Sequence, residues 1–174
     1  MSTRPIHSVL PTTDKANNKR VSAPHPAVPN IPPRYTLRSW ERLKGHKIID
    51  TLFAQGNSFT AFPLRFIWLL QSPPDDAATH HFGVRFGVSV PKRWFKRANL
   101  RNTLKRQMRE AYRLQKHPLG ASLQNSGICA DLAIMCIFAA KSPVPYADIH
   151  SKMAVGLQRV AKELKRQNRP ADPS

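Results

Sequence analysis

The sequence predicts an α+β domain, an αβββαβα two-layer sandwich with helices laid on one sheet, and three observations carry that prediction. The stretches Leu64–Leu70 and Phe82–Val90 alternate with period two, and Ile128–Phe138 is apolar on both sides. Three other stretches, 46–55, about 98–115 and about 146–167, repeat their apolar residues every three or four positions. In chain order these segments run helix, strands, helix, strand, helix, which suits a sheet covered by helices.

Residues 1–33 hold seven of the 16 prolines and almost no acids, so they are expected to form a disordered, basic, Pro-rich arm outside the core. The folded domain is expected over 34–167. His46–Gln55 carries Ile48, Ile49, Leu52 and Phe53 on one side, and Gly56 suits its C-terminal end. Residues 58–71 read as strand broken by Pro63, with Leu64, Phe66, Trp68 and Leu70 alternating against Arg65, Ile67 and Leu69. Pro73-Pro74 and Asp75-Asp76 mark a loop over 71–81. In Phe82–Val90, Phe82, Val84, Phe86, Val88 and Val90 share one face, and the small or polar Gly83, Arg85, Gly87 and Ser89 share the other. That second face suits either solvent or a closely approaching ligand. Ile128–Phe138, apolar apart from Asp131, suits a central strand. The last helix has a core stripe of Ile149, Met153, Leu157, Val160 and Leu164, with Lys152, Arg159, Lys162, Lys165 and Arg166 facing outward. Residues 168–174 are expected to fray.

Charge narrows the function. The 174 residues carry 28 Lys+Arg against 10 Asp+Glu, a formal charge of +18. A compact fold with that charge repels itself, and a polyanion relieves the repulsion through phosphate contact and counterion release. Nucleic acid is favoured over a membrane, because no apolar run is long enough to span one and no clear signal peptide opens the chain. Cytoplasmic localisation is expected. Cys129 and Cys136 lie seven apart in one strand, on opposite faces, so they do not bridge each other, and their spacing matches no zinc pattern. They read as reduced, buried thiols.

The charge concentrates in Lys92–Arg113, which has nine Lys+Arg and one acid, Glu110. On a helical wheel Leu100, Leu104, Met108 and Ala111 fall within an arc of about 80°, a seam for the sheet. Arg101, Asn102, Lys105, Arg106, Arg109 and Arg113 fall within a separate arc of about 140°. Like charges at i, i+4 weaken a helix, so a face that repeats them, with no interspersed acids, points to an anionic partner. Arginine suits bidentate phosphate contact, and Asn102 suits a base edge or 2′-hydroxyl. Of Trp94 and Phe95, one is expected to stack on bases and the other to anchor the turn.

A metal-dependent protein nuclease needs clustered carboxylates. The acids Asp14, Glu41, Asp50, Asp75, Asp76, Glu110, Asp131, Asp148, Glu163 and Asp172 are scattered, and the seven histidines, including His80-His81, show no ligand spacing. No Gly-rich phosphate loop or nucleophile elbow is present. The reading is therefore a binding subunit with no catalytic side chain, and any metal site on the protein is left open. A ribosomal-type or general RNA-binding protein is the alternative. A DNA-binding module is less favoured, since no helix-turn-helix pair is visible.

Ser89–Arg93 followed by Lys96–Arg113, with the spacing Lys-Arg-Ala-x-x-Arg-Asn-x-x-Lys-Arg-x-x-Arg-Glu-Ala-Tyr-Arg, resembles the bacterial ribonuclease P protein subunit. Arg42-Leu43, Leu52–Gly56 and Ala61–Arg65 agree with the same family, and the resemblance covers roughly 34–166. One position departs. The family pattern Arg-Asn-Arg reads Arg101-Asn102-Thr103 here, which should remove one phosphate contact. The resemblance implies a fold like the second domain of ribosomal protein S5, with a left-handed βαβ crossover. It implies partnership with the catalytic RNA of ribonuclease P and with precursor tRNA carrying a 5′ leader, and no membrane or obligatory protein partner. It implies that the RNA, with Mg²⁺ held through it, removes the leader by hydrolysis, leaving a 5′-phosphomonoester. RNA contact is expected from Lys92, Arg93, Lys96, Arg97, Arg101, Asn102, Lys105, Arg106, Arg109 and Arg113. A leader cleft between the first helix and the sheet is expected to use Ile49, Phe53, Arg65 and Ile67, together with Arg85 and Ser89 from the small, polar strand face.

Overall fold

The computed structural model describes residues 35–71, 83–125 and 130–167. The elements are α1 (His46–Gln55), β1 (Asn57–Ala61), β2 (Leu64–Gln71), β3 (Val84–Ser89), α2 (Ala98–Gln115), α3 (His117–Asn125), β4 (Asp131–Phe138) and α4 (Tyr146–Gln167). The expected arm over 1–33, the loop tip with its acids and histidines, Phe82, Ile128, Cys129 and the C-terminal tail lie outside the described residues.

The helix boundaries follow the sequence closely, with one addition. Helix α3 was not expected, because its nine residues include Pro118 and Gly120. Proline is tolerated in a first helical turn, and Leu119 and Leu123, four apart, are both buried, so packing holds what propensity does not favour. The break at Pro63 is a two-residue turn: Ala61 faces Leu64 and the strands on either side pair antiparallel.

The sheet order is β1-β2-β4-β3. Strand β4 is central, antiparallel to β2 and parallel to β3, as its apolar faces require. The passage from β3 through α2 and α3 to β4 is the parallel crossover. On one face Phe66, Trp68, Phe86, Ile134, Cys136 and Phe138 pack against the buried sides of α2, α3 and α4. The opposite face is smaller: Leu52 of α1 packs on Ile67, Ala133 and Met135, flanked by Leu43, Ile48 and Ile49. Burial pushes the Cys136 thiol up, so it is inert where it sits.

Gly156 of α4 marks the tightest contact. A Cβ there would stand 2.2 Å from Cε2 and Cζ of the fully buried Phe66 ring. Alanine normally improves a helix by about 1 kcal/mol over glycine, but overpacking here costs more. Gly156→Ala is expected to destabilise the fold by about 1–2 kcal/mol net. A urea midpoint unchanged or raised would refute that packing argument.

The exposed edge of β3 is closed by the segment before α1. Glu41 carbonyl accepts the Phe86 N–H at 2.7 Å, and the Leu43 N–H donates to the Phe86 carbonyl at 3.1 Å. This parallel bridge protects an edge that would otherwise offer free backbone groups. Leu43 also lies over Gly87, with Cβ and Cδ2 each 3.2 Å from where a Gly87 Cβ would be. The small residue at 87 therefore admits the chain's own Leu43.

Candidate nucleic-acid interface

Strand β3 ends at Ser89 and feeds a tight turn before α2. The N–H groups of Trp94 and Phe95 both donate to the Pro91 carbonyl. Phe95 is buried edge-on against Phe138 and anchors the turn, while Trp94 stays 40% exposed. Phe95 is thus the aromatic that anchors the turn, and Trp94 is the one left open to solvent. The Trp94 ring carries Arg93 at 5.0 Å and Lys141 at 4.9 Å. Lys141 was not singled out in the sequence, because it stands 47 positions from Trp94 and joins it only through the fold.

Helix α2 turns Leu104, Met108, Ala111 and Tyr112 inward, with Leu100 half-buried. Tyr112 stacks on Phe86 at 3.7 Å, and burial, then the nearby Glu41 charge, pushes its hydroxyl up and keeps it neutral. Outward, Lys92, Arg93, Lys96, Arg97, Asn102, Arg106 and Arg109 are exposed, and Lys105 is half-buried. Thr103 is exposed and donates its hydroxyl back to the Asn99 carbonyl at 3.1 Å, so it adds no positive charge.

Two arginines expected at the RNA surface have internal work. Arg101 donates Nη1 to the carbonyls of Phe95, at 2.8 Å, and Lys96, at 2.6 Å, stitching the turn to the helix. The expectation for Arg113 needs correction. Its Nε and Nη2 form a fork on Glu110, at 2.8 and 2.5 Å, and its Nη1 donates to the Tyr35 carbonyl. The hydrogen bond from Arg113 holds the Glu110 carboxyl below the usual carboxylate range. Three residues on, Lys116 donates to the Thr36 carbonyl at 2.5 Å and to Glu41. The Glu-Ala-Tyr-Arg end of the motif is thus structural, and the open cationic surface is the turn plus the first three turns of α2.

On the α1 side, strand register sorts the expected cleft residues. Arg65 and Ser89 both face Ile137 across neighbouring strands, forming one row of the sheet. Arg65 is exposed, with Nη2 3.3 Å from the Ser58 hydroxyl. Ile49 is half-buried beside the Leu52 contact and Phe53 is 51% exposed on α1. Ile67 is only 5% exposed and belongs to the small core under α1, so it is not open to a ligand. Arg85 departs from expectation: it lies two rows from Ser89 along β3, and its guanidinium is paired at 2.5 Å with the buried Asp131. Asp131, the one polar break in β4, is explained by the same pair and accepts the Gly83 N–H at 3.3 Å. The structure therefore gathers Arg65 and Ser89 beside the basic turn and withdraws Arg85.

Glu41, Glu110 and Asp131 are each consumed by an internal cation. Among the described residues no three His, Cys, Asp or Glu side chains form a group able to hold a metal ion. Among them, too, no helix is long and apolar enough to cross a membrane.

A mixed sheet carrying a helix with a strongly basic outer face and, on its opposite face, the exposed Arg65 beside Ser89 defines an RNA-binding α+β protein. The family model for ribonuclease P matches residues 37–161, so the chain belongs to the ribonuclease P protein family. It is thereby the protein part of a ribonucleoprotein enzyme that works with an RNA subunit in processing the 5′ leader of tRNA. The ribonuclease P protein component of Porphyromonas gingivalis strain W83 is 41% identical over 106 residues, covering 61% of this chain and 74% of that protein. That of Chlorobaculum tepidum is 34% identical over 98 residues, covering 56% and 62%. The structure of the Staphylococcus aureus RNase P protein aligns with a TM-score of 0.48 at 22% identity, over 70% of this chain and 95% of that one.

Proposed function

We propose that the chain grips the RNA subunit through Lys92–Arg97 and the outer face of α2, and takes the single-stranded leader of precursor tRNA over Arg65, Ser89 and Phe53. Phosphodiester hydrolysis, leaving a 5′-phosphomonoester, is assigned to the RNA, with Mg²⁺ held by the RNA. The carrying observation is the imbalance at α2: the only acid of the segment, Glu110, is spent on Arg113, and Arg106 and Arg109 stay exposed. The scatter of carboxylates supports a positioning role for the protein. Its contribution is charge neutralisation and alignment, which lowers the Mg²⁺ the RNA needs.

Reconstitution tests this reading. Adding the full chain to its cognate RNA subunit is expected to raise precursor-tRNA cleavage at low Mg²⁺, and to favour a precursor over mature tRNA in binding. Cleavage by the protein alone, or no gain for the RNA, would sink it. Co-sedimentation with ribosomal subunits and no preference for a leader would favour the general RNA-binding alternative.

A further inference from the structure

We propose that the end of the sheet at which β3 and β4 finish is a stacking surface for unpaired nucleotides of the RNA subunit, with the rings of Trp94 and Phe62 as platforms and Lys141 as a phosphate ligand. This rests on the RNA-binding reading and extends it to two residues, Phe62 and Lys141, that lie outside the basic helix and its turn.

Strand register brings three connections to that end. Leu64, the first residue of β2, faces Phe138, the last of β4, and Ser89, the last of β3, faces Ile137. The β1–β2 turn, the β3–α2 turn and the segment after β4 therefore leave the sheet together. Residues 139–141 join the two turns. The Ala139 N–H donates to the Pro63 carbonyl at 2.8 Å, and Lys141 Nζ lies 4.9 Å from the centre of the Trp94 ring. Ala139 and Lys141 are at most about 7 Å apart, so both turns belong to one surface. Phe62 is 64% exposed there, and Arg93, Trp94 and Lys141 are exposed with it.

Charge and ring chemistry select the occupant. No Asp or Glu occurs in 57–71, 83–109 or 132–147, so the surface offers cations to an anion and nothing that repels it. A duplex presents phosphates but keeps the faces of its bases inside its own stack, so an exposed ring gains nothing from it. An unpaired nucleotide presents a face and a phosphate together. In the free chain Arg93 and Lys141 rest against the Trp94 ring. An exposed contact of that kind is weaker than a stacked base, and phosphate is a stronger partner for a cation than a ring is. The base therefore takes the indole, and the two cations move on their flexible stems to the phosphates that arrive with it. Trp94 stands between Arg93 and Lys96, within the segment that grips the RNA subunit, so the nucleotides belong to that RNA and not to the leader.

The test measures binding of the full-length chain to its RNA subunit across a salt series. Trp94→Leu and Phe62→Leu are each expected to weaken binding about fivefold or more with the salt slope unchanged, because a stacked base carries no ion. Trp94→Phe keeps a ring and should retain most of the affinity. Lys141→Ala should flatten the slope by about 0.7, the value for one phosphate of an unpaired strand. Base-reactive probing of the RNA subunit should find unpaired nucleotides protected by the parent and by Trp94→Phe, and reactive again with Trp94→Leu. Parent-like affinity in either leucine variant would overturn the proposal, as would an unchanged slope for Lys141→Ala. A loss seen only when the assembled enzyme binds a precursor with a leader would overturn it in favour of the leader. Polyglutamate competing as well as an unpaired RNA of equal charge would overturn it in favour of an acidic protein. Variants indistinguishable from a parent that binds its RNA subunit defeat this proposal alone. A parent that does not bind that RNA defeats the reading beneath it.

Discussion

Replacing Arg106 and Arg109 together by alanine is expected to weaken binding of the RNA subunit by roughly 10- to 100-fold at 0.15 M salt, with the fold intact. Both side chains are exposed on α2, and none of the hydrogen bonds or ion pairs that hold the turn or the segment before α1 involves them. Like charges at nearby positions on one helix repel, so the double variant should match or slightly exceed the parent in thermal stability. The sharper reading is the salt dependence. Each phosphate contact contributes a slope of about 0.7–0.9 in log K against log salt, so the pair should flatten it by about 1.4–1.8. An unchanged slope would remove these arginines from the interface. Arg113→Ala should behave differently. Because its fork is closed on Glu110 and Tyr35, its loss should loosen the segment before α1 more than it changes the slope.

The second large effect is expected at Glu41→Gln. Glu41 and Lys116 are paired with only 12% and 11% of their side chains exposed. Glu41 also accepts the Arg38 N–H at 2.6 Å and, through its carbonyl, the Phe86 N–H. Removing one charge of a buried pair strands the other, at about 3–5 kcal/mol when burial is complete. The residual exposure and the Thr36 carbonyl, which still receives Lys116, reduce this to about 2–4 kcal/mol. A urea melt should show a lower midpoint with the slope retained, and amide exchange should quicken at Leu43 and Phe86, where the edge bridge is lost. A loss under about 0.5 kcal/mol would reduce the pair to a surface contact.

Local pattern made most of the fold legible. The bounds of α1, α2 and α4 follow from apolar spacing, and the alternation in β2 assigns Phe66 and Ile67 to opposite faces. What stayed hidden depends on distant partners. Helix α3 is held by Leu119 and Leu123 against propensity. Gly87 looked like room for a ligand, yet the space belongs to Leu43, 44 positions earlier. Arg85 and Arg113 read as open cations because their partners, Asp131 and Glu110 with Tyr35, declare themselves only through strand register and side-chain geometry. Charge counting finds a basic surface, but it does not separate cations that face solvent from those that fasten the chain.

The row formed by Arg65, Ile137 and Ser89 sits on one side of the sheet, and the helix that follows Ser89 sits on the other. On the proposed reading, two pieces of RNA are held on opposite sides of a layer made of the sheet and α2, joined by a segment of eight residues fixed by Pro91 and Phe95. The protein then acts as a gauge. Its rigid thickness sets how far the gripped backbone lies from the threaded strand, and lengthening the turn by one residue would change that spacing and shift where the leader is presented for cutting.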